Sequence, residues 1–477
     1  MRPSLRVSLA TAVVVTLTGG FLSATEGPAA AAPASLADDF NGDGYRDLAV
    51  GMPEKTVNGH KRAGAVVVTF GSSTGLTSKH VVVTQDSTGV PGAAETEDLF
   101  GTDLSNGDLD GDGYADLLVT SEREKVGDLS ERGSVTVLWG GSTGFRSGTT
   151  LPTALSYKEQ WFGTDTAVGD FVGDASPDVV VSDSASLWLF EGGFRRTSIP
   201  APIDVDRRPG NDYGFGQLAA GDFTGDGKDE LAVAAPGATV IFSEDAEGFH
   251  DEQALGGGTT LTTGDLNGDG RDDLAVGLPD PYLDDNHLTD PSGNAGYVTT
   301  YYGGGTAPGG LKTTRHTFHQ NTSGIPGTNE SGDEFGAALS IADINGDGPA
   351  ELAIGIPCES FDSAHCGGDV LVLRGSASGT VTTGATRYSQ NSSNVPGTAE
   401  NNDTFGYRIL LADFNRNGKA DLAVSAPGEN VVNNVGSGAL WQLHGAAGGL
   451  TTTGTDVFNP ADYGVSTGSR LGDALGD

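Results

Sequence analysis

One loop pattern recurs seven times along this chain, beginning at Asp39, Asp108, Asp170, Asp222, Asp265, Asp343 and Asp413. The clearest copy reads Asp265-Leu-Asn267-Gly-Asp269-Gly270-Arg271-Asp-Asp273 and runs directly into Leu-Ala-Val-Gly. No other feature restricts the fold as much, because such self-similarity makes the chain an array of one supersecondary unit. Each unit keeps one internal order. A Phe-Gly pair opens it, as at Phe100, Phe162, Phe215, Phe335 and Phe405. The Asp loop follows, then a nearly all-apolar run such as Asp-Leu-Ala-Val-Gly at 47–51 and 273–277. After a variable loop come an alternating run (Gly64 to Phe70, Gly133 to Trp139, Gly296 to Tyr302), a Gly-rich hairpin and a weaker polar run.

That order gives four short strands per repeat, the apolar one expected to be buried on both faces and the alternating one on a single face. Four-stranded blades repeated radially make a β-propeller, which leaves only short edges. Seven copies therefore predict an all-β, seven-bladed propeller of antiparallel blades, with each Asp loop between the first and second strands. A solenoid is the competing repeat architecture, but its repeats run shorter and more uniform. The ring has to close. The first repeat begins at Ser35-Leu-Ala-Asp without a Phe-Gly, while the chain ends Arg470-Leu-Gly-Asp-Ala-Leu-Gly-Asp477, an echo of Phe100-Gly-Thr-Asp-Leu. The C-terminal segment is expected to supply the missing inner strand of the first blade.

The loops have the chemistry of a hard-cation site. Calcium takes six to eight oxygens from carboxylates, amides, backbone carbonyls and water. Counting each loop from its first Asp, positions 1, 3, 5 and 9 offer side-chain oxygens and position 7 a carbonyl; position 6 is Gly in six copies, which permits the tight turn. The ligand candidates in the first copy are Asp39, Asn41, Asp43, Tyr45 and Asp47, and in the second Asp108, Asp110, Asp112, Tyr114 and Asp116. In the fourth they are Asp222, Thr224, Asp226, Lys228 and Glu230, and in the fifth Asp265, Asn267, Asp269, Arg271 and Asp273. The sixth offers Asp343, Asn345, Asp347, Pro349 and Glu351, and the seventh Asp413, Asn415, Asn417, Lys419 and Asp421. The third copy has Val172 at position 3 and Ala175 at position 6, so about six Ca²⁺ sites are expected and that loop should hold none. The seventh has fewer charges and should bind more weakly. The competing explanation is an Asp-rich turn whose side chains bond only their own backbone.

The Phe-Gly opening, the Asp-x-Asn-Gly-Asp-Gly-x-x-Asp-Leu-Ala-Val-Gly core and the Gly-Xaa-Val strand together resemble FG-GAP repeats, found in the integrin α-chain N-terminal propeller and in many bacterial secreted proteins. The resemblance covers about residue 36 to the end and implies a seven-bladed propeller with Ca²⁺ in the loops between first and second strands. Two departures limit it. Integrin α chains typically keep such loops in only some blades, and this chain shows no inserted adhesion domain, stalk or membrane anchor.

Residues 1–32 read as a secretory signal: Arg2 and Arg6 supply the charge, Val7 to Leu17 the apolar stretch, and Ala29 to Ala32 the small-residue cleavage zone. Residues 33–477 are then a single propeller, expected to be secreted and monomeric. With 64 acidic residues against 26 Lys and Arg, a net charge of −38 argues against a nucleic-acid partner. The two cysteines, Cys358 and Cys366, are expected to form a local disulfide.

In this blade order the Asp loops share one face. The loops joining strands two to three, and those joining blades, lie on the other, and there the sequence varies. Long loops at 54–63, 121–132, 280–295, 358–367 and 428–437 contrast with almost none in the third and fourth repeats. Three inter-blade segments share a motif of Gln, Val/Ile-Pro-Gly, Glu and Phe, starting at Gln85, Gln320 and Gln390. Ligand-contact candidates on this face are Tyr157, Trp161, Tyr213, Tyr282, His287 and Phe361. No catalytic residue can be named. The Gly-x-Ser-x-Gly patterns around Ser73 and Ser142 fall in hairpins without triad partners, and the eight His residues show no ligand spacing. The leading expectation is a calcium-binding adhesion module for an extracellular protein or glycan. An exported polysaccharide- or phospholipid-directed hydrolase or lyase, with Tyr282, His287 or His365 at its site, is the alternative, and a purely structural surface protein the third.

Overall fold

Second strands such as Leu48–Met52 and Asp273–Leu278 pair on one side with a short inner strand and on the other with the Gly-Xaa-Val strand. In the computed structural model, which describes residues 36–153, 160–207, 216–235, 237–280, 295–361, 364–431, 436–466 and 468–476, this pattern builds seven antiparallel four-stranded sheets. They are the blades of a seven-bladed β-propeller. No helix occurs among the described residues.

Blade 1 is assembled from both ends of the ring. Ala474–Leu475 supplies its inner strand beside Leu48–Met52, with Val50 opposite Leu475 and Gly51 opposite Ala474. The expected closure is therefore present. Blades 2 to 7 begin at Leu104, Thr166, Leu218, Thr260, Ala338 and Ile409 and run inner to outer in chain order.

The core is a set of wedges between neighbouring blades. One wedge joins Phe40, Val66 and Val68 of the first repeat to Phe100, Leu117 and Val119 of the second; another joins Leu266, Ala275 and Phe335 to Leu352, Ile354 and Leu373. The last joins Phe414 and Leu440 to Leu48, Val50 and Leu471 across the closure. This packing corrects one expectation. The alternating third strands are not half-buried: Ala65–Thr69 and Ser134–Trp139 are buried throughout, because a blade lies against each face. The outermost strands, such as Ser147–Thr150, carry the exposure.

The paired Phe-Gly and Gly-Xaa-Val signals lock one blade to the next. Phe100 is fully buried, donates its N–H to Ala63 O at 3.1 Å, and lies across Gly64 of the preceding blade. Gly64 has φ +87°, and a Cβ there would collide with the Phe100 backbone. Gly133, Gly296 and Gly368 repeat the arrangement against Phe162, Phe335 and Phe405, and Gly438 repeats it against Leu471. Leu471 thus takes the place of the phenylalanine where the ring closes.

Candidate metal centres and the opposite rim

All seven Asp loops take one shape. The position-1 carboxylate gathers the following backbone: Asp265 Oδ1 accepts from the N–H of Gly268 and Asp269, and Oδ2 from Gly270, at 2.6–3.0 Å. Asp39, Asp170 and Asp222 do the same, and Asp108, Asp343 and Asp413 do so in part. Position-5 acids such as Asp43, Asp112, Asp226 and Asp269 accept from the position-7 N–H. The Asx-turn bonding is real, and it shapes the loop whether or not an ion follows.

The position-9 acids are the most buried. Asp116 holds Leu109 N–H and Gly140 N–H, and Asp47 holds Phe40 and Gly71, which ties each loop to the hairpin of its own blade. Burial, with the like charges around them, pushes Asp47 and Asp116 up to about 8 and Asp273 and Glu230 up to about 7. Position-3 amides of Asn41, Asn267, Asn345 and Asn415 donate to the position-9 acid.

These residues fit a hard cation. Carboxylate oxygens of Asp108, Asp110 and Asp116 lie within 4.8 Å of one another. Asp110 Oδ1 and Asn415 Oδ1, both at position 3, are buried without a hydrogen-bond partner, and buried oxygens left unpaired are costly. The third loop keeps the fold but not the donor set. Val172 stands at position 3, and Ala175 is held at φ 65°, where glycine stands in the other six copies.

The loops are also joined to one another, a link that no single copy of the pattern reveals. The position-8 N–H of one loop donates to the position-1 carbonyl of the loop before it: Ala115 to Asp39, Asp229 to Asp170, Asp272 to Asp222, Ala350 to Asp265 and Ala420 to Asp343, at 2.8–3.0 Å. Pro177 occupies position 8 of the third loop and has no N–H to give. Position 7, expected to offer a carbonyl, also sends its side chain across the junction. Tyr114, Lys228, Arg271, Pro349 and Lys419 lie over the position-4 glycines Gly42, Gly173, Gly225, Gly268 and Gly346. At the closure the seventh loop has Arg416 at position 4 instead, and its guanidinium reaches Gly44 of the first loop. Arg196, from the outer hairpin of blade 3, bonds Asp110 at 3.0 Å and Asp112, placing a built-in cation on the second loop.

On the opposite rim, Trp161 is 39% exposed and its Nε1 faces Glu131 at 3.4 Å. Phe361 is half-buried against Gly367. Tyr157, Tyr213, Tyr282, His287 and the Phe215 of the fourth repeat lie outside the described residues, as does the segment 1–32. Cys358 and Cys366 form the expected disulfide within the 358–367 loop. The Ser73 pattern is a tight turn, with Gly75 N–H donating to Ser72 O and the Ser72 hydroxyl to Gly75 O. One His is better placed than its spacing implied: His250 lies beside Asp245 and Glu252 in the outer hairpin of blade 4. A groove of about 230 Å³ runs between Pro396, Gly397, Glu429 and Asn430, with Trp441 and Asn459 in its wall.

The FG-GAP repeat family matches residues 31–69, 100–138, 215–248, 257–301 and 405–441, which fall on blades 1, 2, 4, 5 and 7. The chain is an integrin-like FG-GAP β-propeller. Over 172 residues, 36% of this FG-GAP propeller, it is 30% identical to phosphatidylinositol-glycan-specific phospholipase D of Rattus norvegicus. Over 142 residues, 30% of the chain, it is 30% identical to integrin alpha-3 of Mus musculus. The matched parts span only 20% and 12% of those relatives' lengths. A solved lectin of Agrocybe aegerita, described for recognition of non-reducing terminal N-acetylglucosamine, superposes with a TM-score of 0.52 at 13% identity, over 89% of this chain and 92% of its own. At that identity the likeness concerns the fold. No helix among the described residues is long and apolar enough to cross a membrane.

Proposed function

We propose that this FG-GAP propeller is an exported, calcium-stapled binding module that presents its loop-rich rim to an extracellular protein or glycan. The observation that carries the reading is the difference between the two faces. Loops between first and second strands share one shape and are tied by backbone bonds at five of the junctions between blades, whereas loops between second and third strands run from the short link between Ser182 and Ser186 to the long segments at 121–132 and 358–367. One face is spent on holding the ring; the other is free to vary, as recognition surfaces on rigid scaffolds do. The groove beside Glu429 and Asn430 lies on that second rim and offers a concave, partly polar seat.

The Asp loops are read as calcium sites held by the position-1, -3, -5 and -9 oxygens of every copy except the third. When bound, the ion supplies a charge that neutralises crowded carboxylates; it takes no part in a reaction. The disulfide and the signal-like residues 1–32 support export. Glycan-array and pull-down binding, each run with calcium and with chelator, tests the proposal. A calcium-dependent ligand in either supports it, and calcium-independent or absent binding in both overturns it. A hydrolase reading has the phospholipase relatives in its favour. Turnover on phospholipid and polysaccharide panels would establish that reading instead.

A further inference from the structure

The three inter-blade segments that share the Gln, Val/Ile-Pro-Gly and Glu motif fold alike and bury the same group. Gln85, Gln320 and Gln390 are 4%, 1% and 2% exposed. Each sends Nε2 to a glutamate that follows the second strand of the next blade: Glu124 at 2.5 Å, Glu359 at 2.6 Å and Glu429 at 2.5 Å. Beside each pair sits an aspartate, Asp98, Asp333 or Asp403, whose Oδ2 accepts the N–H of Glu95, Glu330 or Glu400. Asp98 and Glu95 act on Glu124 as like charges, and Asp403 and Glu400 act on Glu429 in the same way.

In all three junctions the glutamine Oε1 is buried without a hydrogen-bond partner, and so is Asp403 Oδ1. An unpaired buried amide oxygen is costly, and where the junction has no cation of its own it leaves a place for a partner from outside the chain. Turned over, the amide would direct that oxygen at the glutamate carboxylate, where a cation between the two would be held by both. One junction already has a cation. Arg387 places Nη2 2.7 Å from Glu359 Oε1 and Nε 2.6 Å from Asp369 Oδ2. Arg387 pairs with Leu371 in its blade; Thr150 and Val457 hold the corresponding register positions, opposite Thr136 and Trp441. Neither can bring a charge.

We propose that the junctions between blades 1 and 2 and between blades 6 and 7 each bind a hard divalent cation such as Ca²⁺, through Gln85, Asp98 and Glu124 in the first and Gln390, Asp403 and Glu429 in the second, while Arg387 stands in for the ion between blades 5 and 6. The donors are all oxygens, as such cations require, and the groove lined by Glu429 and Asn430 gives an entry path to the second site. These sites lie on the rim opposite the Asp loops and use none of their residues.

The test is the number of calcium ions retained per chain after equilibrium dialysis of the purified protein. The E124Q/E429Q variant should hold two fewer than the wild type, and E359Q should hold as many as the wild type. Equal counts in the wild type and E124Q/E429Q, or an equal loss in E359Q, overturn the proposal. Only the difference is read, so failure of the Asp-loop sites would lower the total and leave this result intact. If E124Q/E429Q does not fold, anomalous scattering from wild-type crystals soaked in Mn²⁺ decides. Peaks beside Glu124 and Glu429 but not Glu359 support the sites, and their absence there refutes them.

Discussion

Removing residues 470–477 should open the ring. Those residues contribute Leu471, fully buried in the wedge with Leu48, Val50, Met52, Phe458 and Tyr463. They also contribute backbone bonds from Leu471 to Ser437, Gly472 to Gly51 and Gly476 to Ala49, at 3.0–3.3 Å. Emptying a leucine-sized core position costs about 2–5 kcal/mol, and each backbone bond lost to water about 1 kcal/mol net. Together these come to roughly 6 kcal/mol, a large share of the 5–15 kcal/mol typical of a folded domain. The unit spanning Ala32–Asp477 has an unfolding entropy near 0.9 kcal/mol/K at about 2.1 cal/mol/K per residue. The truncated protein should therefore melt about 6–7 °C below the full chain in scanning calorimetry. Leu471→Ala, which keeps the strand, should lower Tm by only about 3–4 °C. Truncation also bares the edge of Leu48–Met52, so light scattering should show concentration-dependent association. A truncated chain that melts within about 1 °C of the full chain and stays monodisperse would refute the closure argument.

Three further outcomes follow from the loops and the blade locks. Gly64 and Gly111 both have positive φ, but only Gly64 faces the next blade's backbone. Gly111→Ala should cost about 1 kcal/mol and Gly64→Ala several more by chemical denaturation; equal costs would remove the lock. Ala175→Gly relieves a left-handed alanine and should stabilise by about 1 kcal/mol, and adding Val172→Asn should raise the calcium count by one, whereas an unchanged count would show that position 3 does not decide binding. In chelator, Asp47, Asp116, Asp273 and Glu230 keep protons up to about 7–8 that the unfolded chain loses near its ordinary carboxylate range. The folded state then binds more protons than the unfolded one, so the metal-free protein should lose stability as pH rises from about 4 through 8. With calcium the ion displaces those protons and Tm should rise over the same range; a metal-free Tm that climbs with pH would contradict the burial of these acids.

Much of this architecture was legible because the repeat writes it locally. The Asp loops, the apolar second strands and the hairpins are each set within a dozen residues, and the closure was visible in the echo between Arg470-Leu-Gly and Phe100-Gly. What escaped depends on contacts between blades. Third strands were expected to expose their polar face, yet Thr69 and Thr300 are buried and bond Thr77 O and Tyr302 Oη; a period of two cannot say that a neighbour will cover the second face. The side chains at position 7 were read only for their carbonyls, because nothing within one loop shows that Lys228 will reach Gly173. The glutamine–glutamate junctions did leave a trace. The separation is 39 residues in all three pairs, a constancy that would have tied Gln85, Gln320 and Gln390 to their partners.

The exceptions to the repeat fall together, and that placement bears on how the ring is held. The third loop lacks the position-3 oxygen, and Pro177 breaks the backbone circuit to the loop before it. Blade 3, like blade 6, also lies outside the family match, and only a short link separates its second and third strands. Yet the same blade sends Arg196 back to Asp110 and Asp112 of the second loop and to Gly140 O, and its Trp188 Nε1 donates to Asp183 at 2.7 Å. Between blades 5 and 6 on the other rim, Arg387 meets Glu359 and Asp369. In both places a guanidinium from an outer strand or hairpin stands where carboxylates converge. Arg387 supplies the charge at a junction where no ion is proposed, whereas Arg196 adds a fixed charge beside the carboxylates of the second loop.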